Sequence, residues 1–150
     1  MSDKEADFKI LKALASDADD IVALEHEYIE CPWSEKDLTN ALINPLYTFY
    51  KAEIGQETAG YIGVNWCLDE GNVCNVAVKK GYRRMGIGKE LVFAVVEEAR
   101  KRSVKRLYLE VNAFNVAAIA LYEKLGFRTV YSRPRYYGED TALVMMRETE

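Results

Sequence analysis

A mixed α/β fold of the α+β type, with a central, mostly antiparallel sheet of about seven strands flanked by about four helices, is what this sequence predicts. Three observations lead there. At 150 residues the chain has room for one compact core, and a domain of that size buries roughly 68–70% of the surface its unfolded chain exposes. In the middle of the chain three strand-like stretches follow one another with only short turn segments between them, which reads as an antiparallel meander. Downstream, helical and strand-like periodicities alternate. No repeat, low-complexity segment or linker interrupts this order, so one domain is expected over residues 1–150.

Phe8, Ile10 and Leu11 alternate loosely with Lys9 and Lys12, suggesting a first strand over residues 8–14. Ser16 and Asp17 suit the cap of a helix that runs to about Glu30, carries Ile21, Leu24 and Tyr28 at helical spacing, and is ended by Pro32. Ser34-Glu35-Lys36-Asp37 has capping-box character ahead of Leu38, Ala41 and Leu42, so a second, short helix is expected to reach about Asn44, just before Pro45. Strands are expected over residues 47–54, 58–68 and 72–78, separated by Gly55-Gln56-Glu57 and Asp69-Glu70-Gly71. From Gly86 to about Arg102, the residues Ile87, Leu91, Val92, Val95, Val96 and Ala99 mark one face of a long helix whose other face is charged. Over residues 106–111, Leu107, Leu109 and Val111 take one side of a strand and Tyr108 and Glu110 the other. Asn115 can cap a fourth helix that holds Ala118, Leu121, Tyr122 and Leu125, and Gly126 suits the left-handed position that ends it. Two closing strands are expected over residues 127–136 and 141–147.

Twenty basic and 24 acidic side chains give a net charge of −4. That balance offers a polyanion no overall attraction, so no direct nucleic-acid binding is expected. No apolar run approaches the roughly 18 residues that a membrane span needs, which excludes the membrane as a home. Met1-Ser2-Asp3-Lys4-Glu5 is charged and leads into no apolar signal core, so a cytoplasmic protein is expected. Cys31, Cys67 and Cys74 are odd in number and lack a C-x-x-C spacing, which points to buried thiols rather than to disulfides or a zinc site, and no metal is expected. His26 lies in a helical stretch between Glu25 and Glu27, where a solvated or half-buried imidazole is the ordinary outcome.

The strongest local signal is Arg83-Arg84-Met85-Gly86-Ile87-Gly88, between a strand ending at Val78 and an amphipathic helix. A helix N-terminus presents unpaired N–H donors and partial positive charge, and glycines let the backbone approach a pyrophosphate with no Cβ in the way. Lys79, Lys80, Arg83, Arg84 and Lys89 place five positive groups within eleven residues of an otherwise acidic chain, a cluster that an anionic small ligand could use. A P-loop would need Gly-Lys-Ser/Thr, whereas Gly88-Lys89-Glu90 puts a carboxylate where the magnesium-binding hydroxyl belongs. A dinucleotide fold would need repeated βαβ units, and the meander upstream denies it that.

On these residues the sequence resembles the GNAT superfamily of N-acetyltransferases, whose acyl-CoA loop reads Gln/Arg-x-x-Gly-x-Gly/Ala and is matched by Arg83 through Gly88. Asn115-Val116-Ala117-Ala118-Ile119-Ala120-Leu121-Tyr122-Glu123-Lys124-Leu125-Gly126-Phe127 resembles the superfamily's Asn-x-x-Ala-x-x-Leu-Tyr-x-x-x-Gly-Phe segment, in the same order and spacing. The resemblance implies acetyl-CoA as co-substrate and a splay between the fourth and fifth strands. The backbone of Val76-Ala77-Val78 would there hold the acetyl and pantetheine groups. It implies that the loop formed by Arg83, Arg84, Met85, Gly86, Ile87, Gly88 and Lys89 holds the pyrophosphate, and that Asn115 contacts the pantetheine arm, a role compatible with helix capping. Lys80-Gly81, where many relatives have proline, departs from the pattern and bears on loop stiffness more than on chemistry.

The acceptor must be a neutral amine, yet a free α-amino group has a pKa of about 7.7–8.0 and is mostly protonated at neutral pH. Glu110 could take that proton directly or through water, at a position where similar enzymes place their base. Tyr122, at the family's tyrosine position, is implied as a coenzyme contact and as the acid that protonates the leaving thiolate. By pattern alone Glu110 reads as a solvent-facing strand residue and Tyr122 as core beside Leu121 and Leu125, and the catalytic roles come from the two motifs. A narrower resemblance lies in Pro32-Trp33-Ser34-Glu35, Asn75-Val76-Ala77-Val78, Leu109-Glu110-Val111 with Asn115, and Arg135-Tyr136-Tyr137 ahead of Glu139-Asp140. It is to the branch of the superfamily that acetylates the N-terminal alanine of a ribosomal protein, which implies a protein N-terminus as acceptor and partner. Trp33, Glu35, Tyr136 and Tyr137 could then wall the entrance for the peptide end, although aromatics at strand ends also pack cores. Transfer to a lysine side chain or small amine, and acyl-CoA binding without catalysis, stay open as alternatives.

Overall fold

Residues 7–29, 31–134 and 141–149 are described by a computed structural model. Alternating burial and short turns build the first half of the sheet. β1 (Lys9–Lys12), β2 (Tyr47–Ile54), β3 (Glu57–Cys67) and β4 (Glu70–Val78) form the expected antiparallel meander, with Gly55 at φ 61° turning β2 into β3. β5 (Arg106–Asn112) lies parallel to β4, and β6 (Arg128–Pro134) and β7 (Thr141–Glu148) add antiparallel strands. The order across the sheet is β1-β2-β3-β4-β5-β7-β6.

Four helices cover the two faces: α1 (Ala18–Tyr28), α2 (Glu35–Leu42), α3 (Ile87–Lys101) and α4 (Val116–Lys124). Parallel strands cannot be joined by a tight turn, and α3 makes the crossover from β4 to β5. The Ser34 hydroxyl accepts the Asp37 N–H at 3.1 Å to cap α2, and the Asn115 side chain accepts the Ala118 N–H at 3.2 Å to cap α4. Asp17 behaves differently from expectation. It holds the N-cap position of α1, but its carboxylate accepts the Leu14 N–H at 2.8 Å and Lys51 Nζ at 2.7 Å, because a turn N–H and a nearby cation compete for it. α1 stops at Tyr28, and Glu30, where it was expected to end, lies outside the described residues. No helix among the described residues is long and apolar enough to cross a membrane; of the cysteines expected to be buried, Cys31 and Cys67 are exposed and Cys74 is half-buried.

Two apolar clusters result. On one face Leu91, Val92, Val95 and Val96 of α3 pack on Ile62, Val64, Leu107, Leu109 and Met145, with Ala118 and Tyr122 of α4 at the margin. On the other, Ile21, Leu24, Leu38 and Ala41 of α1 and α2 pack on Phe49, Tyr61 and Ala77.

A β-bulge decides the shape of the middle of the sheet. Gly63 pairs with Asn75 and Val64 with Val73, so Cys74 is an extra residue on β4. Such a residue bends its strand and sharpens the local twist. Pairing of β4 with β5 runs from Glu70↔Arg106 to Asn72↔Tyr108 and stops just before the bulge, beyond which the two strands part. The bulge also resets which side chains face which way. Val73 before it and Val76 and Val78 after it all pack toward α3, whereas Ala77, and by alternation Asn75, face α1 and α2. Gly63, opposite the bulge, leaves no space for a larger residue: a Cβ there would stand 2.6 Å from the Phe49 ring.

Candidate active site

The loop after β4 ends in an uncapped helix. Gly86, at φ 87°, precedes Ile87, and no side chain caps α3. The Glu90 N–H donates to Gly86 O at 3.0 Å, so the N–H groups of Ile87, Gly88 and Lys89 come before the first intrahelical acceptor and point out of the helix end. Arg84, at φ 71°, takes a conformation that residues with side chains seldom adopt, and turns the loop just ahead of them. A Cβ added at Gly88 would meet nothing nearer than Leu121 Cδ2 at 3.7 Å, so the space over the helix end is open.

The end of β4 supplies a second set of backbone groups. The Lys79 N–H donates to Ala59 O at 2.8 Å, so position 79 faces β3. In an antiparallel ladder successive positions alternate, and the N–H and C=O groups of Val78 and Val76 therefore turn into the gap left by β5. Arg83 Nε donates to Val78 O at 3.1 Å, which fits that direction. Ala77 turns its backbone the other way, toward Tyr61.

Both features open onto a cleft of about 640 Å³, within the roughly 300–1,000 Å³ usual for small-molecule sites. Its walls bring together the sequence-predicted Val76, Ala77, Val78, Arg83, Arg84, Gly86, Ile87, Gly88, Lys89, Asn115 and Tyr122. Met85, also expected here, packs against the apolar core instead. Tyr28, Tyr82, Ala117, Ala118 and Leu121 complete the lining and were missed. The Tyr28 hydroxyl accepts the Lys80 N–H at 3.1 Å, and the Arg83 guanidinium lies 5.3 Å over its ring, tying α1 to the loop. Glu57 holds the loop from below: Lys79 Nζ lies 2.6 Å from its carboxylate and the Tyr82 hydroxyl donates to it at 2.7 Å. Those bonds, that of Lys79 first, keep the Glu57 carboxyl below its ordinary pKa. Tyr122 stands edge-on to Phe127 with centroids 6.1 Å apart. Burial pushes its phenol above the usual value, so the hydroxyl keeps its proton through neutral pH.

The acceptor-side candidates are scattered by comparison. Glu110 is half exposed on the β5 face opposite Leu109, pairs with Arg133 of β6 at 3.4 Å, and does not wall the cleft. Trp33 lies edge-on to Tyr47 at 6.0 Å and lines a separate hollow with Asp37, Asn40, Ala41 and Asn44. Glu35 is exposed in the first turn of α2. Tyr136 and Tyr137 lie outside the described residues.

Against the Trp33 backbone sits a group that sequence reasoning passed over. Glu25 of α1 is 0% exposed. Its carboxylate accepts the Tyr61 hydroxyl, the Asn75 amide at 3.0 and 3.2 Å to its two oxygens, and the Trp33 backbone N–H at 2.8 Å. His26, read as solvated or half-buried, is exposed and donates through Nε2 to Trp33 O at 2.9 Å. Burial, then the hydrogen bond to Glu25, pushes the Tyr61 phenol well above its usual range. Burial, then the Glu25 charge, pushes the Cys74 thiol up to about 11, which leaves it protonated and inert at neutral pH. A signal for Glu25 was available: Ile21, Leu24, Glu25 and Tyr28 stand at i, i+3, i+4 and i+7, so a carboxylate interrupts an apolar stripe.

Unpaired amides at a helix end, open space over Gly88, three cations and a protonated phenol fit a ligand with a diphosphate at one end and a leaving thiol at the other. Comparison with known proteins agrees. The profile of the Acetyltransferase (GNAT) family matches residues 13–127. The chain is 39% identical over 118 residues to the ribosomal protein bS18-alanine N-acetyltransferase of Escherichia coli strain K12, covering 76% of this chain and 79% of that one. It is 30% identical over 156 residues to an N-alpha-acetyltransferase of Sulfurisphaera tokodaii, with 94% and 93% covered. The crystal structure of the ribosomal-protein-S18-alanine N-acetyltransferase from Escherichia coli matches with a TM-score of 0.88 at 32% identity, covering 95% of this chain and 94% of that one. The chain therefore belongs to the Acetyltransferase (GNAT) family and is an acetyl-CoA-dependent N-acetyltransferase.

Proposed function

We propose that this chain acetylates a protein N-terminal α-amino group, that of an alanine on a ribosomal protein, and that it works in the cytoplasm as one domain. The observation that carries the reading is the 39% identity, over 118 residues, to a protein named for that acetylation.

Acetyl-CoA supplies a thioester whose carbonyl carbon is open to attack by an amine. The amides of Ile87, Gly88 and Lys89, with the Arg84 and Lys89 side chains, hold its diphosphate at the head of α3. The Val78 or Val76 N–H, turned into the gap, donates to the carbonyl oxygen, where negative charge develops. Glu110 takes the proton of the incoming ammonium, directly or through water, with Arg133 fixing its carboxylate. As the C–N bond forms and the C–S bond breaks, Tyr122 passes its hydroxyl proton to the departing sulfur, and the second proton shed by the acylated nitrogen returns through water to the phenolate. Asn115 caps α4 and faces the pantetheine arm. Trp33 and Glu35 are assigned to the peptide entrance; Tyr136 and Tyr137, assigned to it by the resemblance, lie outside the described residues.

The test is a panel of acceptors offered with acetyl-CoA: peptides beginning Ala, Ser, Met or Gly, internal-lysine peptides, and polyamines. Alanine-first peptides are expected to lead in kcat/KM by about tenfold or more, the scale on which a small side-chain pocket discriminates. Faster turnover of an internal lysine or a polyamine would replace this reading. Coenzyme binding with no turnover of any amine would reduce the chain to a binding module.

A further inference from the structure

The geometry points to Glu25 as a positioning residue that ties the segment carrying Trp33 to β4, so that peptide entrance and coenzyme strand hold one relative placement. The inference rests on the reading of a peptide acceptor given above.

The chemistry of the four bonds selects a carboxylate. Among the described residues every group aimed at Glu25 is a donor: a backbone N–H, a phenol and a primary amide. An ionised carboxylate only accepts and offers about four lone-pair sites, whereas a glutamine would turn an NH₂ against one of those donors. No lysine or arginine pairs with Glu25 among the described residues. Burying a carboxyl group is costly unless its hydrogen-bonding capacity is met, here by donors from three separate elements, and the acid–base steps make no use of it.

The partners explain the placement. Trp33 belongs to the segment between α1 and α2. Its N–H goes to Glu25 and its C=O to His26, so α1 grips its backbone from both sides. Asn75 follows the bulge at Cys74 and precedes Val76, where β4 leaves β5. Tyr61 anchors the same carboxylate to the centre of the sheet. Of the two sides tied together, β4 is also held by its ladder to β3 up to Gly60↔Val78. The Trp33 segment belongs to neither strand nor helix. Loosening Glu25 should therefore disturb the peptide side first.

Glu25→Gln in the full chain tests this with two readouts. Hydrogen exchange at the Trp33 amide should speed up about tenfold or more, the scale of one lost charge-assisted bond, while amides in α3 keep their protection. With the preferred peptide, KM for peptide should rise by a similar factor while kcat and KM for acetyl-CoA move by less than about threefold. Unchanged Trp33 exchange, equal rises in both Michaelis constants, or a fall in kcat alone would overturn the assignment. Should Glu25→Gln fail to fold, Tyr61→Phe removes one donor while keeping the carboxylate, and must show the same split at smaller amplitude or the assignment fails. The exchange measurement needs no peptide, so it tests the tie even if the acceptor proves to be another amine.

Discussion

Among the described residues each face of the sheet buries one glutamate under a tyrosine from a neighbouring strand, and the two are wired differently. On the α3 face, Glu98 accepts the Tyr50 hydroxyl at 3.2 Å and Arg102 Nε at 2.9 Å, with Lys12 Nζ at 3.8 Å. Arg102 in turn lies 4.8 Å over the Trp66 ring and reaches Thr48. That network closes on itself at the end of α3 away from the cleft. On the α1 face, Glu25 has only neutral partners among the described residues, and two of them, Trp33 and Asn75, belong to segments bordering the reaction. Charge pairing makes the first a fastener for the fold; gathering donors from functional segments makes the second a gauge of their spacing. The same division holds for the candidate site, since the coenzyme side relies on backbone groups and the acceptor side on side chains drawn from several elements.

The largest expected effect lies on the coenzyme face. Tyr122→Phe removes the half-buried hydroxyl assigned to the leaving sulfur, and kcat should fall by about 10²–10⁴-fold while calorimetry shows unchanged acetyl-CoA binding. Full turnover in this variant would mean that positioning alone drives transfer, and the two faces would no longer divide the acid from the base.

Glu110→Gln tests the other half of that division. At neutral pH kcat/KM for peptide should drop by about 10²-fold, and the deficit should narrow above pH about 8, where an α-amino group of pKa about 7.7–8.0 has shed its own proton. A deficit that stays constant with pH would leave Glu110 an electrostatic role without proton transfer. Arg133→Ala removes a half-exposed ion pair and should change stability by no more than about 1 kcal/mol.

The sequence made the coenzyme side readable because its parts are contiguous. Arg83 to Gly88 is one loop, Asn115 to Phe127 one helix and its cap, and local spacing suffices for both. The splay came from family resemblance, while its physical cause, the extra residue Cys74, depends on register against β3 and leaves no local mark. Met85 shows a limit even within a motif: its neighbours turn toward the cleft, and its own side chain goes to the core. Asp17 takes the expected N-cap position, but its carboxylate turns to the Leu14 N–H and to Lys51, and Lys51 is 34 residues away, out of reach of local spacing. Glu25 meets partners 8, 36 and 50 residues distant, and it was missed although its place on an apolar stripe marked it.

A smaller effect sharpens the claim that the coenzyme side works through backbone shape. Gly86→Ala adds a methyl group that would meet nothing within 4 Å, so any cost is conformational and comes from φ 87°. Holding an alanine in the left-handed region costs roughly 1–2 kcal/mol, and KM for acetyl-CoA should rise by about 5–30-fold with KM for peptide little changed. Equal rises in both constants would show that the loop shapes the peptide entrance as well.

The smallest effect concerns acid stability and separates the two buried glutamates. Burial by itself would raise the Glu98 carboxyl, but the hydrogen bond from Arg102 and the charges of Lys12 and Arg102 outweigh it, leaving the pKa below its ordinary 4.5. Asp17 is likewise pulled up by burial and pulled further down by the Leu14 N–H and Lys51, ending below 3.8. A carboxyl whose folded pKa is depressed contributes stability that is complete above its unfolded value and is lost as pH falls through the folded one. The loss should therefore begin near pH 4.5 and deepen below it, with no slope from these groups between about pH 6 and 8. Glu98→Gln should lower the urea midpoint at about pH 7 and flatten its decline toward about pH 3.5, because one proton-linked group is gone. Both Michaelis constants should stay as in the parent chain, since the Glu98 network reaches neither Trp33 nor β4. A rise in peptide KM on that side too would erase the distinction between fastener and gauge, because any buried carboxylate would then tune the entrance.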